Sequence, residues 1–288
     1  MIFGARDDGI IVQGATGTQG AFHLDLMNDY ARGAGGRGVV AGVTPGKGGQ
    51  VVHGVPVYDS VREALASHDV VTSVLFVPGK AAGDSIMEAA EAGIELVVAI
   101  TEHIPVHDTA KAIAYARTCS CSVVGPNSPG ILSPGEIKLG IMPAQLFSRG
   151  NVGVISRSGT LTYEVVDELT RAGIGQSTVV GIGGDPIIGE TFVDVLDRFA
   201  RDPLTDAVVV IGEVGGNLEE EGAASTDLPI VAYIAGKSAP PEKRMGHAGA
   251  IVEGGEGDAA SKIRRLEALG VPVAEKPSEI ATLVRDLL

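Results

Sequence analysis

Short strands rich in valine and isoleucine alternate with helical segments along almost the whole chain. The chain has 41 glycines among 288 residues, and many of them stand in the turns that join these segments. Strands that alternate with helices pair in parallel through right-handed crossovers. Ligands of such sheets bind beyond the carboxyl ends of the strands. The sequence therefore predicts an α/β fold with its functional residues at that edge.

Prolines and glycines cluster between Gly125 and Gly150, where the alternation of strands and helices is interrupted. Such a cluster is typical of the connection between two domains. We therefore predict two domains, residues 1–130 and residues 131–288, each with its own parallel sheet.

The first glycine turn, Gly14 to Gly20, follows a strand at residues 9–13 and precedes a helix at residues 21–30. This order presents free N–H groups and the positive end of a helix dipole to a phosphate. The spacing G-x-x-G-x-x-G differs from the dinucleotide fingerprint G-x-G-x-x-G. Phosphate or nucleotide binding and a purely structural turn are both open interpretations of this motif.

Lys47 stands in the glycine-rich loop after the next strand, where a dinucleotide site usually carries an acidic residue for the ribose. A lysine favours a ligand with an extra phosphate, such as coenzyme A or NADP, and a solvated loop lysine is the alternative. Thr16, Lys47, Pro78 and Glu102 all follow strands, so we expect them at one carboxyl edge.

The second half of the chain opens with a strand at residues 151–155, followed by the turn from Ser156 to Thr160. Hydroxyls and a glycine at a helix N-terminus either form an anion cradle or simply cap the helix. Downstream, we predict a helix from Gly183 to Arg201 and a buried strand that ends at Glu213. The acidic run at residues 219–221 predicts a solvated helix face.

His247 lies between glycines in the segment RMGHAGA, residues 244–250. Imidazole is a competent nucleophile toward phosphorus near neutral pH, because its ordinary pKa of about 6.5 leaves much of it uncharged. The flanking Gly246 and Gly249 let backbone N–H groups approach an anion closely. A surface loop that happens to contain a histidine is the alternative, since short motifs often match by chance.

A net charge of −14 disfavours non-specific binding to nucleic acid. No apolar stretch reaches the roughly 20 residues of a membrane span, and no signal peptide is recognisable. We expect a protein of the cytoplasm or of an organelle matrix that binds neither nucleic acid nor membranes. We expect no metal site at His103 and His107, because Pro105 separates them and no further ligands complete a set.

Seven motifs in order along the chain make it resemble the α subunit of succinyl-CoA synthetase (succinate–CoA ligase). They are GATGTQGAFH, TPGKGG, GPNSPG, SRSGTLTYE, GIGGDPI, IGEVGG and RMGHAGAI. The resemblance covers essentially the whole length. It implies a Rossmann-like CoA-binding domain followed by a flavodoxin-like ligase domain, in a catalytic subunit of an acid–thiol ligase of the tricarboxylic acid cycle.

The resemblance also implies roles for individual residues. Those expected to bind coenzyme A are Thr16, Gly17, Thr18, Gln19, Lys47, Ile100, Thr101 and Glu102. In the second domain, His247 would be phosphorylated, and Glu213 would hydrogen-bond the distal nitrogen of its ring. The turn of Ser158, Gly159 and Thr160 would hold the phosphoryl group.

The implied reaction has three steps. Phosphate and succinyl-CoA give succinyl phosphate and coenzyme A, His247 takes the phosphoryl group and releases succinate, and the phosphohistidine passes it to ADP or GDP. Tyr163 matches a position associated with the carboxylate substrate. The nucleotide and Mg²⁺ would bind a partner β subunit of the ATP-grasp type, in an αβ or α₂β₂ assembly.

Three departures from the family pattern concern the binding of coenzyme A. Ser128 stands where a cysteine is expected, His103 where a glycine is expected, and Gly79-Lys80-Ala81 lacks the Pro and Phe often found there. Other functions also stay open. They are a ligase for malate or another acid on the same scaffold, an NADP-binding dehydrogenase, and a CoA-binding regulatory module without turnover.

Overall fold

The computed structural model describes residues 2–237, Gly249 and residues 257–288. This part of the chain forms two units. The N-terminal unit comprises Phe3–Met142 with Ile187–Gly189, and the C-terminal unit comprises Ile2, Pro143–Pro186 and the described part of Glu190–Leu288. Among the helices of the described residues, none combines the length and the apolar character needed to cross a membrane.

The N-terminal unit alternates strands and helices as the sequence predicts. In chain order its elements are β1 (Ile10–Gln13), α1 (Thr18–Ala34), β2 (Val39–Val43), β3 (Val51–Val52), β4 (Val55–Tyr58), α2 (Val61–Ser67), β5 (Thr72–Leu75), α3 (Gly79–Ala92), β6 (Leu96–Ala99), α4 (Val106–Thr118), β7 (Ser122–Val124), β8 (Gly130–Ser133) and β9 (Ile137–Gly140). Strands β1, β5 and β6 are buried along their whole length, as expected where helices cover both faces of a parallel sheet.

The main sheet of this unit has the order β3-β4-β2-β1-β5-β6-β7, and only β3 runs antiparallel to its neighbour. From β4 to β7 this is the Rossmann order, in which the chain changes direction across the sheet between β1 and β5. Gln13 is paired with both Val43 and Leu75, so the carboxyl ends of the three central strands are level. The predicted Rossmann-like fold is confirmed.

Two hairpins of this unit lie outside the strand–helix alternation. Strands β3 and β4 pair antiparallel, and so do β8 and β9. Tyr30 of α1 anchors the second hairpin, because its hydroxyl accepts from the N–H of Gly135 at 2.7 Å and donates to the carbonyl of Ser133 at 3.4 Å. Such short strands among glycines and prolines lack a hydrophobic period, so the sequence predicts only turns there.

The C-terminal unit carries the second parallel sheet. Its elements in the described residues are β10 (Arg149–Ser156), α5 (Gly159–Arg171), β11 (Gln176–Gly181), α6 (Phe192–Ala200), β12 (Ala207–Glu213), α7 (Leu218–Ala224), β13 (Ile230–Ala235), α8 (Ala259–Ala268), β14 (Val273–Ala274) and α9 (Ile280–Leu287), with 3₁₀ turns at Ala144–Leu146 and Pro277–Glu279. The order β14-β13-β12-β10-β11, all parallel, is that of flavodoxin, with its reversal between β10 and β12. The predicted flavodoxin-like fold is confirmed.

Helix α6 begins later than the sequence predicts. Thr191 is its N-cap, and the Oγ1 atom of Thr191 accepts from the N–H of Asp194 at 3.4 Å. The carboxylate of Asp194 accepts in return from the N–H of Thr191 at 2.8 Å. This reciprocal capping box fixes the helix start after the glycine- and proline-containing turn. The prediction of a helix from Gly183 is therefore wrong.

Candidate functional site

The first glycine turn lies at the reversal point of the N-terminal sheet. Gly14 has a φ of 85°, and a Cβ atom there would lie 2.9 Å from the carbonyl carbon of Phe76, the residue after β5. A Cβ atom at Gly20 would overlap the carbonyl oxygen of Gly14. Glycines at these two positions therefore allow α1 to begin directly against the ends of β1 and β5.

The N-terminus of α1 is open to an anion. Gly17 occupies the N-cap position and supplies no side-chain cap, and the first turn carries no acidic residue. Gly17, Thr18 and Gln19 are exposed, and Thr16 is half-buried. The first N–H groups of a helix lack partners within it, and the helix dipole adds positive charge there. This turn can therefore bind a phosphate through its backbone.

The loop that carries Lys47 adjoins this turn through Thr44. The Oγ1 atom of Thr44 accepts from the N–H of Thr16 at 3.3 Å. The carbonyl of Thr44 accepts from the N–H of Lys47 at 3.1 Å. The side chain of Lys47 is exposed. The structure thus brings Thr16 and Lys47 together at the ends of β1 and β2.

The segment after β6 reaches the same edge of the sheet. Ile100 donates its N–H to the carbonyl of Leu75 at 3.3 Å, and Thr101 donates its hydroxyl to the carbonyl of Val77 at 2.8 Å. Glu102 follows with an exposed side chain. The residues predicted to bind coenzyme A therefore lie in one unit, at the carboxyl ends of its central strands.

The structure shows the backbone conformation or the contacts of each residue that departs from the family pattern. His103 has a φ of 60°, in the left-handed region that glycine adopts most readily. Gly79-Lys80-Ala81 forms the first turn of α3, and a Cβ atom at Gly79 would lie 2.6 Å from the carbonyl oxygen of His103. Ser128 is buried, and its hydroxyl accepts from the N–H of Gly130 at 2.9 Å.

Two basic side chains of the N-terminal unit are absent from the sequence predictions. His23 of α1 stacks on Phe76 with ring centroids 5.4 Å apart, and burial lowers the pKa of its imidazole to about 4, with the charge of Lys138 as a smaller cause. Lys138 of β9 is buried and donates to the carbonyl of Gly140 at 2.6 Å, and burial lowers its pKa to about 8. The sequence does not mark Lys138, because β9 itself is not predicted, and it does not mark His23, because the ring of Phe76 comes from a distant part of the chain.

In the C-terminal unit, the serine-glycine-threonine turn begins α5. Ser158 is the N-cap, and its hydroxyl accepts from the N–H of Leu161 at 3.4 Å. Gly159 and Thr160 open the helix, where backbone N–H groups have no partner within the helix. Capping and anion binding are therefore compatible here, because the cap uses a different N–H. Tyr163 is half-buried, and burial raises the pKa of its phenol.

Glu213 ends β12 and lies beside a buried guanidinium. Its Oε1 atom is 3.6 Å from Nε of Arg157, the residue that precedes Ser158. Ser156, the last residue of β10, is paired with Ile211 of β12. The two central strands therefore deliver the turn before α5 and the carboxylate of Glu213 to the reversal point of the sheet.

The acidic run of α7 is not a solvated face, so that prediction is wrong. Glu219 is fully buried and Glu220 is 8% exposed, whereas Glu221 is exposed. Lys262 of α8, also fully buried, pairs with the carboxylate of Glu219 and lies 3.4 Å from that of Glu220. Glu219 also lies 3.5 Å from Nη1 of Arg157. Cations from distant segments neutralise this run, and local sequence does not show them.

His247 lies outside the described residues. Gly249, two positions after His247 in the sequence, donates its N–H to the carbonyl of Gly184 at 3.1 Å. A Cβ atom at Gly249 would lie 2.6 Å from Nη2 of Arg157. Gly249 is therefore packed against the guanidinium that neighbours Glu213.

Anion binding is the chemistry that both units offer. Helices α1 and α5 each begin at the reversal point of a sheet, with no acidic residue in the first turn. Glu213 adds a buried carboxylate to the second of these sites. In the part of the chain that the structure describes, no group of three or more His, Cys, Asp or Glu side chains is arranged to hold a metal ion.

Comparisons with known proteins match both units. A CoA binding domain model matches residues 5–103, and a CoA-ligase model matches residues 155–271. The ADP-forming succinate–CoA ligase subunit alpha 2 of Archaeoglobus fulgidus is 55% identical over 282 residues, 97% of this chain and 96% of that protein. The subunit alpha of Methanothermobacter thermautotrophicus is 53% identical over 288 residues, 99% of this chain and 96% of that protein. That of Staphylococcus epidermidis is 51% identical over 289 residues, 99% and 94% of the two chains.

Solved structures share the fold at lower identity. ATP citrate lyase from Methanothrix soehngenii, in complex with citrate and coenzyme A, matches with a TM-score of 0.88 and 24% identity over 100% of this chain and 50% of that chain. The dinucleotide forming acetyl-coenzyme A synthetase 1 of Ca. Korarchaeum cryptofilum, in complex with phosphate and ADP, has a TM-score of 0.76 and 23% identity over 95% of this chain and 59% of that chain. At these identities the likeness concerns the fold alone.

Proposed function

Since the chain belongs to the family of succinate–CoA ligase α subunits, we propose that it is the catalytic α subunit of an ADP-forming ligase. The enzyme interconverts succinyl-CoA, phosphate and ADP with succinate, coenzyme A and ATP, through a phosphohistidine at His247. ADP is chosen over GDP, and succinate over malate, because the relatives are named ADP-forming and for succinate. The same names do not favour a dehydrogenase or a module without turnover.

The observation that carries this proposal is the meeting of α5 and β12 at the reversal point of the C-terminal sheet. A phosphoryl group at the N–H groups of Gly159 and Thr160 would face the positive end of α5. Glu213 would hydrogen-bond the distal ring nitrogen of His247 and offset the positive charge of the phosphorylated imidazole. Groups fixed in advance where charge develops account for much of enzymatic rate acceleration.

Coenzyme A would bind the N-terminal unit. The open N-terminus of α1, residues 16–19, would hold its phosphates, and the exposed Lys47 would pair with a further phosphate. The residues Ile100, Thr101 and Glu102 would line the site at the end of β6. The absence of a side-chain cap and of acidic residues in the first turn of α1 fits a phosphate ligand.

The reaction proceeds in three displacements. A phosphate oxygen attacks the thioester carbonyl of succinyl-CoA, the C–S bond breaks, and coenzyme A leaves. A ring nitrogen of His247 then attacks the phosphorus of succinyl phosphate, and succinate leaves as a carboxylate, which Tyr163 would contact. Finally an oxygen of the terminal phosphate of ADP attacks the phosphorus, the N–P bond breaks, and the imidazole is regenerated. Covalent catalysis replaces one difficult transfer by easier ones.

The partner is a β subunit, as the alpha-subunit names of the relatives imply. We propose that it is of the ATP-grasp type, that it binds the nucleotide with Mg²⁺, and that the assembly is αβ or α₂β₂. Within the α chain, residues 1–130 would form the CoA-binding domain and residues 131–288 the ligase domain. Because the nucleotide would bind the β subunit, an α chain alone should turn over negligibly.

Labelling of the purified αβ complex with γ-³²P ATP tests the proposal. We expect a label on the α chain that is stable in alkali, labile in acid and lost in His247→Asn. His107→Asn, a change at an exposed position of α4, should keep the label and serves as the matched control. A complex that binds coenzyme A but acquires no such label would refute catalysis through His247.

A further inference from the structure

Arg157 is far more buried than a turn residue beside a helix start needs to be. It is 4% exposed, and its guanidinium faces both the end of β12 with the turn after it and Gly249. Nη1 donates to the carbonyl of Gly215 at 3.1 Å, Nε lies 3.6 Å from Oε1 of Glu213, and Nη2 packs against Gly249. Nε is buried without a hydrogen bond to the described residues. A buried charged donor left incompletely bonded is costly, so its retention calls for an explanation.

Glu219 holds the guanidinium from the side of α7. One carboxylate oxygen, Oε1, accepts from the N–H of Glu213 at 3.1 Å and lies 3.5 Å from Nη1 of Arg157. The other oxygen pairs with the buried Lys262. A Cβ atom at Gly212 would lie 2.5 Å from Cγ of Glu219, so β12 must carry a glycine there for this approach. Arg157 is therefore fixed on one side by a fully buried ion pair.

We propose that Arg157 is a positioning residue for phosphoryl transfer. It holds the carboxylate of Glu213 and the backbone of Gly249 in one geometry, and the ion pair of Glu219 with Lys262 keeps it there. This inference rests on the proposed function, because Arg157 acts on the reaction only through Glu213 and Gly249. Displacement of a catalytic group by about 1 Å can lower a rate about 100-fold, so such fixing matters.

Rapid-quench measurement of His247 labelling, per folded αβ complex, tests the inference with four variants. Arg157→Met keeps the length of the side chain and removes the fork of donors. Arg157→Met combined with Glu219→Gln removes one buried charge of each sign, which limits the loss of stability. Arg157→Lys keeps the charge without the fork. The matched control is Arg171→Met, since Arg171 is exposed on α5 and pairs with Asp167 on the surface, at 2.8 Å.

We expect Arg157→Met and the double variant to label about 100-fold more slowly than wild type, with unchanged affinity for coenzyme A. Arg157→Lys should recover stability but only part of the rate, and Arg171→Met should match wild type. The inference would be overturned if every Arg157 variant that folds were labelled at nearly the wild-type rate. If Arg157→Met and the double variant do not fold, the labelling rate of Arg157→Lys alone decides between the two outcomes. A wild-type complex that acquires no acid-labile label would instead overturn the proposed function.

Discussion

The backbone N–H of Glu213 donates a 3.1 Å hydrogen bond to Oε1 of Glu219, a carboxylate that solvent does not reach. The other oxygen of Glu219 pairs with Lys262 of α8. The end of β12 is therefore tied to a helix more than forty positions further along the chain, since Lys262 and Glu219 are 43 residues apart. A substitution of Glu219 or Lys262 should therefore shift Glu213, whose carboxylate we propose to hydrogen-bond the phosphohistidine.

Lys262→Met should destabilise the protein by about 3–5 kcal/mol, because Glu219 and Glu220 would be left buried without their shared cation. Denaturant unfolding at neutral pH measures this loss. Lys276→Met is the control. Lys276 forms an exposed ion pair with Glu279 at 3.8 Å, and such surface pairs contribute little to stability. Equal stabilities of the two variants would contradict a role for the buried pair.

Glu213→Gln should slow the phosphorylation of His247 about 100-fold, because a neutral amide offsets the charge of the imidazolium poorly. The affinity for coenzyme A should stay unchanged, since the expected CoA residues belong to the other unit. Single-turnover labelling and calorimetric titration measure the two quantities. Glu221→Gln, at the exposed end of the acidic run, is the matched control. An unchanged labelling rate in Glu213→Gln would refute the assigned role.

Gly20→Ala and Gly33→Ala should have opposite effects although both residues lie in α1. A Cβ atom at Gly20 would overlap the carbonyl oxygen of Gly14, so we expect a loss of about 1–3 kcal/mol and weaker binding of coenzyme A. At Gly33 nothing lies within 4 Å, and alanine should add about 0.5–1 kcal/mol. Thermal unfolding with and without coenzyme A measures both; a tolerated Gly20→Ala would argue against a tight phosphate turn.

His103→Gly should raise the free energy of unfolding by up to about 1 kcal/mol, because the φ of 60° strains any residue with a Cβ atom. His107→Gly, within the helix α4, should lower it instead, since glycine is a poor helix former. Urea unfolding compares the two variants. Destabilisation by both changes to the same extent would show that the ring of His103, and not its backbone, matters there.

The stability of the protein should rise as the pH increases from about 8 to 10.5. Burial lowers the pKa of Lys138 from 10.5 to about 8 in the folded state, so between these values the unfolded chain binds the extra proton. Lys138→Met should abolish this rise, whereas Lys111→Met, at an exposed position of α4, should keep it. Unfolding midpoints in urea across this pH range provide the measurement. Persistence of the rise in Lys138→Met would assign it to other groups.

The order of strands and helices could be predicted because each element depends on neighbours in sequence. The glycine turn after β1 and the serine turn before α5 both lie where the sequence predicts them, at the carboxyl ends of strands. The start of α6 could not be predicted correctly. The turn with Gly183, Gly184 and Pro186 resembles a helix start, whereas the helix begins after the capping box of Thr191 and Asp194. The hairpin of β8 and β9 likewise depends on Tyr30, which lies about one hundred residues earlier.

The sequence by itself determined the α/β class, the family and the residues that the family pattern marks, because those depend on local periodicity and on short ordered motifs. Only the tertiary structure decided that Glu219 and Lys262 are buried together and that Arg157 lies between Glu213 and Gly249. The physical reason is that a charge is stable inside a protein only when its counter-charge is brought to it. That counter-charge comes from segments far apart in the chain, which only the folded sheet brings together.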